Sequence, residues 1–519
     1  MHFNSHIFIF LYLPVVFIGT FWLGKQWPYL SACWLVMASL TFYAVWNTPF
    51  ILLMLASVVF NYGAGYWIAQ KRTNIARKHL LITAITLNLL LLFYFKYSIF
   101  FISSFNLVAE SNLTSLDIIL PLGISFFTFT QIAFLVDVYR GIAREYNFIY
   151  YLLFVTYFPH LIAGPILHHK QMMPQFANSD TYHIDAEHVA AGLTIFVLGL
   201  SKKVLIADTV ARYATPVFNA ARDGQVLMLL EAWIGAIAYT LQLYFDFSGY
   251  SDMAIGLSLL FNVRLPLNFD SPYKSVNIIE FWRRWHMTLS AFLRDYLYFP
   301  LGGSHKGRLR QYVNVMATML LGGLWHGAGW TFILWGGLHG LYLMINHGWH
   351  DLKTHLGLGY GGNIARVIAI AITFLAVVVA WVLFRAPNLA TAGAMLSGMS
   401  GANGLSLPVS FAEQIRLPVV MFLGVMPATK ISAIGALSSI TLSLLIVWFF
   451  PNVRQIMRKY NPTWEDIADA NNIALSPLNV IGRNYQWRPT MFTAVICGAI
   501  MFICLLTMGH VSEFLYFQF

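Results

Sequence analysis

The sequence predicts an all-α polytopic membrane protein, and three observations carry that prediction. Charged residues make up only 10% of the 519-residue chain, where a soluble globular domain carries roughly 25%. Hydrophobic residues reach 58% and aromatics 16%, with a mean hydropathy of +0.66. The remaining charge is clustered, so long stretches contain none. Together these exclude a soluble enzyme, a disordered chain and a disulfide-stapled secreted module. At about 20 apolar residues per crossing, the stretches give roughly 11–13 transmembrane helices in a single integral-membrane domain covering residues 1–519.

In chain order, residues 7–24 form the first span. Met1–His6 holds no Lys or Arg, Pro14 interrupts the apolar stretch and no small-x-small site follows, so it reads as a retained span and not a cleaved signal. Pro28–Gln70 runs 43 residues without a charge and is broken near its middle by Asn47-Thr48-Pro49, which makes it two crossings joined by a tight turn. Spans at 80–103, 117–138, 148–168, 188–210 and 232–262 follow. Gln311–His350 is free of acids, Lys and Arg over 40 residues, interrupted by Gly322-Gly323 and Gly327. Val367–Phe384, Ile431–Val453 and Pro489–Ser512 supply the last crossings. Cys33, Cys497 and Cys504 all lie within apolar spans, and the last two sit about 10 Å apart by helical rise, beyond disulfide reach.

Basic residues orient the chain. Lys71, Arg72, Arg77 and Lys78 crowd one short loop, while 104–116 has only Glu110. The positive-inside rule puts 70–79 in the cytoplasm and the N-terminus outside. Arg140 and Arg144 then return to the inner face. The densest cluster is 264–310, with Arg264, Lys274, Arg283, Arg284, Arg294, Lys306, Arg308 and Arg310 against Asp270, Glu280 and Asp295. The segment 452–488 is also placed inside. The net charge of +10 is mostly inner-face charge, serving topology and anionic lipid, or else forming a landing site for a polyanionic cytoplasmic ligand.

Two segments do not fit a plain helix bundle. Glu280–Gly303 repeats Phe281, Trp282, Trp285, Leu289, Phe292, Leu293 and Tyr296 at helical spacing, with arginines on other faces and Pro300 as a stop. That pattern predicts one helix lying in the interface or dipping partway in, with His286 on it. Leu320–Gly329 places His326 beside Trp325 among Gly322, Gly323, Gly327 and Gly329. An ionisable residue at membrane depth marks a functional site by default, and glycine at this density lets another backbone or a ligand come close. His339 shares some of this context, but thirteen residues along one helix would turn it away from His326; it ranks behind His286. Asp137 and Arg140 are expected to pair near the membrane edge. Asp246 and Asp252 could carry protons, orient a histidine or be structural. No nucleophile elbow, H-E-x-x-H motif or P-loop is present, no metal site is expected, and Gly357–Gly362 (GLGYGG) lies in a hydrophilic loop with no strand before it.

These motifs carry a resemblance that covers nearly the whole chain. SFFTFTQIAFLVDVYRG (125–141), FPHLIAGPILHHKQMMPQ (158–175), FDFSGYSDMAIG (245–256), EFWRRWHMTLSAFLRDYLYFPLGG (280–303), GLWHGAGWTFILWGGLHG (323–340), WVLFRA (381–386) and FLYFQF (514–519) resemble the membrane-bound O-acyltransferase family. Within it, the likeness is to the bacterial branch of alginate O-acetylation, peptidoglycan O-acetylation and D-alanylation proteins. The resemblance implies that His326 is the family's essential histidine and His286 its second recurring one. It also implies a bundle of tilted helices around a central funnel with re-entrant helices at its neck.

The implied activity is transfer of an acyl group, acetyl foremost, from a cytoplasmic thioester to an extracytoplasmic polysaccharide. Acyl-CoA, with acetyl-CoA foremost, is the expected donor substrate, and no bound cofactor is expected. A thioester needs only deprotonation of the attacking hydroxyl and oxyanion stabilisation, which neutral imidazole suits. The donor's phosphates are expected to meet Arg308 and Arg310. The expected partners are the polysaccharide acceptor, an extracytoplasmic acyltransferase protein and membrane lipids, with no nucleic acid. Tyr516, in the terminal FLYFQF, could hold the acyl group as a relay, or the tail could anchor the chain or dock that partner. The location implied is the bacterial inner membrane. A transporter or flippase of a lipid-linked glycan precursor, or a non-catalytic scaffold of a polysaccharide-modifying complex, would share many of these features.

Overall fold

The computed structural model describes residues 1–519 except 47, 72, 115, 144–146, 163, 358–360, 406, 409–424, 427–431, 465–485, 510–513 and 516–519. The first part of the chain forms α1 (Phe8–Gly24), α2 (Pro28–Ala44), α3 (Pro49–Gln70), α4 (Asn74–Ala109), α5 (Ile124–Tyr139), α6 (Phe148–Thr156) and α7 (His169–Ala177). The middle holds α8 (Ala186–Arg222), α9 (Leu229–Leu260), α10 (Ile278–Arg284), α11 (Met287–Leu293), α12 (Arg308–His326) and α13 (Trp330–His355). Then come α14 (Asn363–Arg385), α15 (Leu389–Ser400), α16 (Ala433–Phe449) and α17 (Met491–Thr507). Strand pairing among the described residues is limited to a two-residue parallel ladder, Leu407–Pro408 with Val425–Met426, and one isolated bridge. The fold is all-α in all but name.

Four described helices, α3, α4, α8 and α14, are long and apolar enough to cross a membrane, and α1, α2, α5, α16 and α17 are shorter apolar helices. The outer faces carry Trp22, Leu52, Trp67, Leu107, Phe492 and Leu506, all exposed. An apolar belt of that extent on a folded protein is the surface lipid covers. This is a multi-pass membrane protein.

The break predicted inside 28–70 falls between α2 and α3, where Pro49 opens the second helix. Elsewhere two spans are corrected. Residues 117–138 do not form one helix: α5 starts only at Ile124, after Gly123 in the left-handed region at φ 71°. Likewise 148–168 is helical only to Thr156, because Pro159 and Pro165 lack the N–H to continue. The irregular stretch that follows is almost entirely buried, the one setting in which such backbone is tolerated at membrane depth. The predicted amphipathic helix over 280–303 is also broken, into α10, α11 and a wide turn at Arg294–Tyr298, with His286 at φ 43° between the first two. Segments of seven residues cannot cross a bilayer. The GLGYGG loop falls largely on residues outside the described set.

The centre of the molecule is α9, in which every residue from Ala238 to Leu260 is buried. Glycines let α8 run directly against it. A Cβ on Gly199 would lie 2.6 Å from the Gly249 carbonyl, and one on Gly256 would lie 2.6 Å from the Gly192 carbonyl. Small residues at such crossings are what allow membrane helices to pack backbone to backbone. Further along α9, Phe3 and Phe514 both stack on Tyr250, with ring centroids 4.8 and 4.7 Å away. Gly249→Val should therefore destabilise the fold by about 1–3 kcal/mol through overpacking. The check is the thermal midpoint of the detergent-solubilised protein, with Gly498→Ala as control, since nothing lies within 4 Å of a Cβ there.

Candidate active site

Two sequence-remote histidines meet. His326 is the last residue of α12, which ends because Gly327 turns to extended backbone at φ −158°. His286 occupies the break between α10 and α11. Their rings are 6.3 Å apart, centroid to centroid, and both are buried. Trp335 stands edge-on to His326 at 5.0 Å and Phe384 at 5.3 Å. On the other side Phe247 meets His286 at 4.9 Å.

Of the two uses expected of the glycines around His326, close approach of another backbone is the one seen. A Cβ on Gly323 would collide with the Phe332 carbonyl, and one on Gly336 with the Met319 carbonyl. They close the α12–α13 crossing and leave no empty space for a ligand. His326 is packed by aromatic rings, not by glycine.

Asn268 fixes His286. Its Oδ1 accepts from the Thr288 hydroxyl at 2.9 Å and from the Thr288 backbone N–H at 3.4 Å, and it lies 3.1 Å from His286 Nδ1. Because a backbone N–H can only donate, that atom is an oxygen and the His286 contact must come from an Nδ1–H. A neutral His286 therefore holds its lone pair on Nε2. The Met287 N–H also donates to the Asn268 carbonyl, at 3.0 Å, which helps hold the left-handed turn.

His339 is closer to the site than the helical count implied, because α12 and α13 are separate helices and the count across Gly327–Gly329 fails. It is fully buried, accepts from Trp282 Nε1–H at 3.3 Å, and contacts Trp335 at 4.9 Å. Trp335 thus touches His326 and His339 alike.

A cavity of about 1990 Å³ lies beside this pair, with neither histidine on its wall. Its wall includes Trp282, Met287 and Thr288, the last two following His286 in sequence, together with Thr318 and Met319 of α12. Among the described residues eight cationic side chains line it against four carboxylates. Arg284–Glu280 at 2.8 Å, Arg294–Asp295 at 2.7 Å and Arg454–Asp270 at 3.3 Å are paired. Arg140, Lys170, Arg283 and Arg366 enter no ion pair among the described residues. Arg308 and Arg310 do not line the cavity: they open α12 at its exposed end, where Arg308 is bound to Asp351 at 3.0 Å. Of the cavity's cations outside any ion pair, Arg283 lies on α10 and Arg366 on α14.

The acids resolve differently from expectation. Asp137 is held by Tyr296 Oη–H at 2.9 Å and lies 3.4 Å from His169 Nδ1, while Arg140 reaches the Asp295 carbonyl and covers the Tyr296 ring; the Asp137–Arg140 pair is not formed. Asp252 pairs with Lys202 at 2.5 Å and Asp246 with Lys203 at 2.6 Å. A wide turn at Lys202–Ala207 in α8 lets both adjacent lysines face α9. Asp246 also accepts from the Leu515 N–H at 2.9 Å. Phe514 meets Phe247, the ring against His286, at 5.7 Å. Tyr516, the expected relay, lies outside the described residues.

Reading the sequence missed Asn268 and also Lys96, whose Nζ donates to the Trp325 and His326 carbonyls.

This combination defines a class of protein: a multi-pass membrane protein with paired buried imidazoles behind a cation-lined vestibule. Residues 3–384 match the family model of the membrane-bound O-acyltransferases, and the chain belongs to that family; it is an O-acyltransferase. It is 45% identical over 432 residues to the peptidoglycan O-acetyltransferase of Helicobacter pylori, covering 78% of this chain and 81% of that one. It is 40% identical, over 100% of both chains, to the probable alginate O-acetylase AlgI of Pseudomonas putida. A more distant relative, the teichoic acid D-alanyltransferase of Streptococcus thermophilus, is 29% identical over 44% of this chain and 57% of its own.

Breaking the Lys203–Asp246 pair from one side leaves a buried charge stranded, at about 3–5 kcal/mol. Lys203 also binds the more exposed Asp208 at 2.9 Å, so Lys203→Met should cut folded yield sharply. Lys203→Met/Asp246→Asn, which removes the buried charge but keeps an acceptor for the Leu515 N–H, should recover part of it. Size-exclusion yield of both variants checks this; a double variant no better than the single would point to a role for the charges beyond folding.

Proposed function

We propose that this protein transfers an acetyl group from acetyl-CoA, bound on the cytoplasmic side of a bacterial inner membrane, to a hydroxyl destined for an extracytoplasmic cell-surface polysaccharide. The observation that carries this reading is the convergence of His326 and His286 behind a cavity whose unpaired cations suit a polyanionic donor. The basic loops assigned inside by charge also contribute that cavity's arginines, which favours donor entry from the cytoplasm. The relatives' names supply the acceptor class.

In this mechanism His326 takes the proton as the acceptor oxygen attacks the thioester carbonyl. The C–S bond of the tetrahedral intermediate then breaks, and the imidazolium returns its proton to the departing thiolate. His286, locked by Asn268, orients the thioester. A polymer hydroxyl then attacks the acetyl ester so formed; the ester bond to the first oxygen breaks, that oxygen takes back a proton, and an extracytoplasmic partner protein completes this second transfer.

General-base catalysis contributes about 10²–10⁴-fold, so His326→Ala should lower thiol release from acetyl-CoA by at least about 100-fold at near-normal expression. His286→Ala should also be strongly impaired. Near-wild-type rates in His326→Ala would end the base assignment. Charged hydrogen bonds to phosphate contribute about 1.5–3 kcal/mol, so Arg283→Gln with Arg366→Gln should raise KM for acetyl-CoA about tenfold or more and leave kcat nearly intact. Arg308→Gln with Arg310→Gln should leave both constants unchanged. The reverse pattern would return the donor site to the start of α12.

A further inference from the structure

α12 ends inside the protein, and its last four carbonyls have no intrahelical partner by construction. Their donors are all accounted for. The Gly323 carbonyl takes the Gly327 N–H at 3.4 Å. The Leu324 carbonyl takes the Tyr97 hydroxyl at 3.0 Å, and the carbonyls of Trp325 and His326 take Lys96 Nζ at 2.6 and 3.1 Å. Two adjacent residues of α4 thus satisfy three consecutive carbonyls that end on the catalytic histidine.

Adjacent side chains on a regular α-helix point about 100° apart and do not readily serve one small target. Here α4 is widened into a π-turn over Phe93–Tyr97, and both residues reach the α12 terminus. Such turns are costly and cluster at functional sites. The charge also fits, since a helix C-terminus carries roughly half a negative charge and Lys96 is the cation set against it.

An ammonium has three N–H donors. Those of Lys96 have three acceptors, the two carbonyls and Ser125 Oγ at 3.3 Å. No donor is left over for substrate, which argues against Lys96 as an oxyanion donor or a proton source.

We infer that the wide turn Phe93–Tyr97 is a receptor for the end of α12, and that Lys96 and Tyr97 are positioning residues that set His326 for acyl transfer. This rests on His326 being the base. The tether matters because His326 is the final helical residue, where an uncapped end frays, and a displacement of about 1 Å can cost about 100-fold in rate.

The test uses the full chain in proteoliposomes, with thiol release from acetyl-CoA measured per folded molecule and thermal midpoints measured alongside. Lys96→Met should lose about 100-fold in kcat, with KM for acetyl-CoA within about twofold because the donor contacts are untouched. Tyr97→Phe removes one hydroxyl and should lose about 3–10-fold in the same way; it decides the matter if Lys96→Met does not fold. Lys96→Arg keeps the charge but not the compact three-donor head. It should restore the thermal midpoint while leaving kcat at least about tenfold down. A cap that served folding alone would return rate and midpoint together in Lys96→Arg, and that result overturns the inference. So does a Lys96→Met kcat within about twofold of wild type while His326→Ala is inactive. An active His326→Ala instead overturns the base reading, and this inference falls with it.

Discussion

Hydrocarbon offers no hydrogen bonds, so a helix that stops at membrane depth must have its last carbonyls met by protein. Much of the site follows from that requirement at the end of α12. The helix has to stop there, because Gly327–Gly329 lets the chain turn back into α13 and brings Trp335 against His326. Once it stops, something must cover the exposed carbonyls, and α4 supplies it. The same requirement governs His286. Its break between α10 and α11 frees backbone groups, and Asn268 takes them while also holding the ring. In both cases the group that satisfies the backbone is also the group that fixes an imidazole.

The spans were readable because a bilayer sets a length and removes charge over it, and both survive in a bare sequence. Thus α3 and α14 fall where the uncharged runs place them. Where the chain is buried within the protein instead of facing lipid, hydropathy no longer distinguishes helix from coil, and 157–168 reads as a span although prolines break it. His326 and His286 stood out because polar residues in apolar or glycine-rich surroundings are rare. Their partners did not. Lys96 is 230 residues from His326, and a span is recognised by its average, which one cation scarcely changes. Asn268 lies in a buried irregular segment between Leu267 and Phe269, too short to read as a span and without a motif to mark it. Local pattern reveals which residues are unusual; only the fold shows what they touch.

Wide turns recur at the places where charge enters the core. One in α8 lets Lys202 and Lys203 face two acids of α9, and one in α4 directs Lys96 and Tyr97 at α12. A third follows α11 and presents Tyr296 to Asp137. In a regular helix each pair of neighbours would diverge. Widening one turn concentrates polar groups at a single point without exposing the backbone to lipid.

The stacking of Phe3 and Phe514 on Tyr250 has a consequence for biosynthesis. A polytopic chain is made and inserted from its N-terminus, so α9 and both histidines are in the membrane well before residue 514 emerges. Phe514 then closes against Phe247, whose ring borders His286, while Asp246 receives the Leu515 N–H. The wall around the histidine pair is therefore closed only after residue 514 has been made and inserted. A chain made only as far as α13 has its histidines but not their full enclosure.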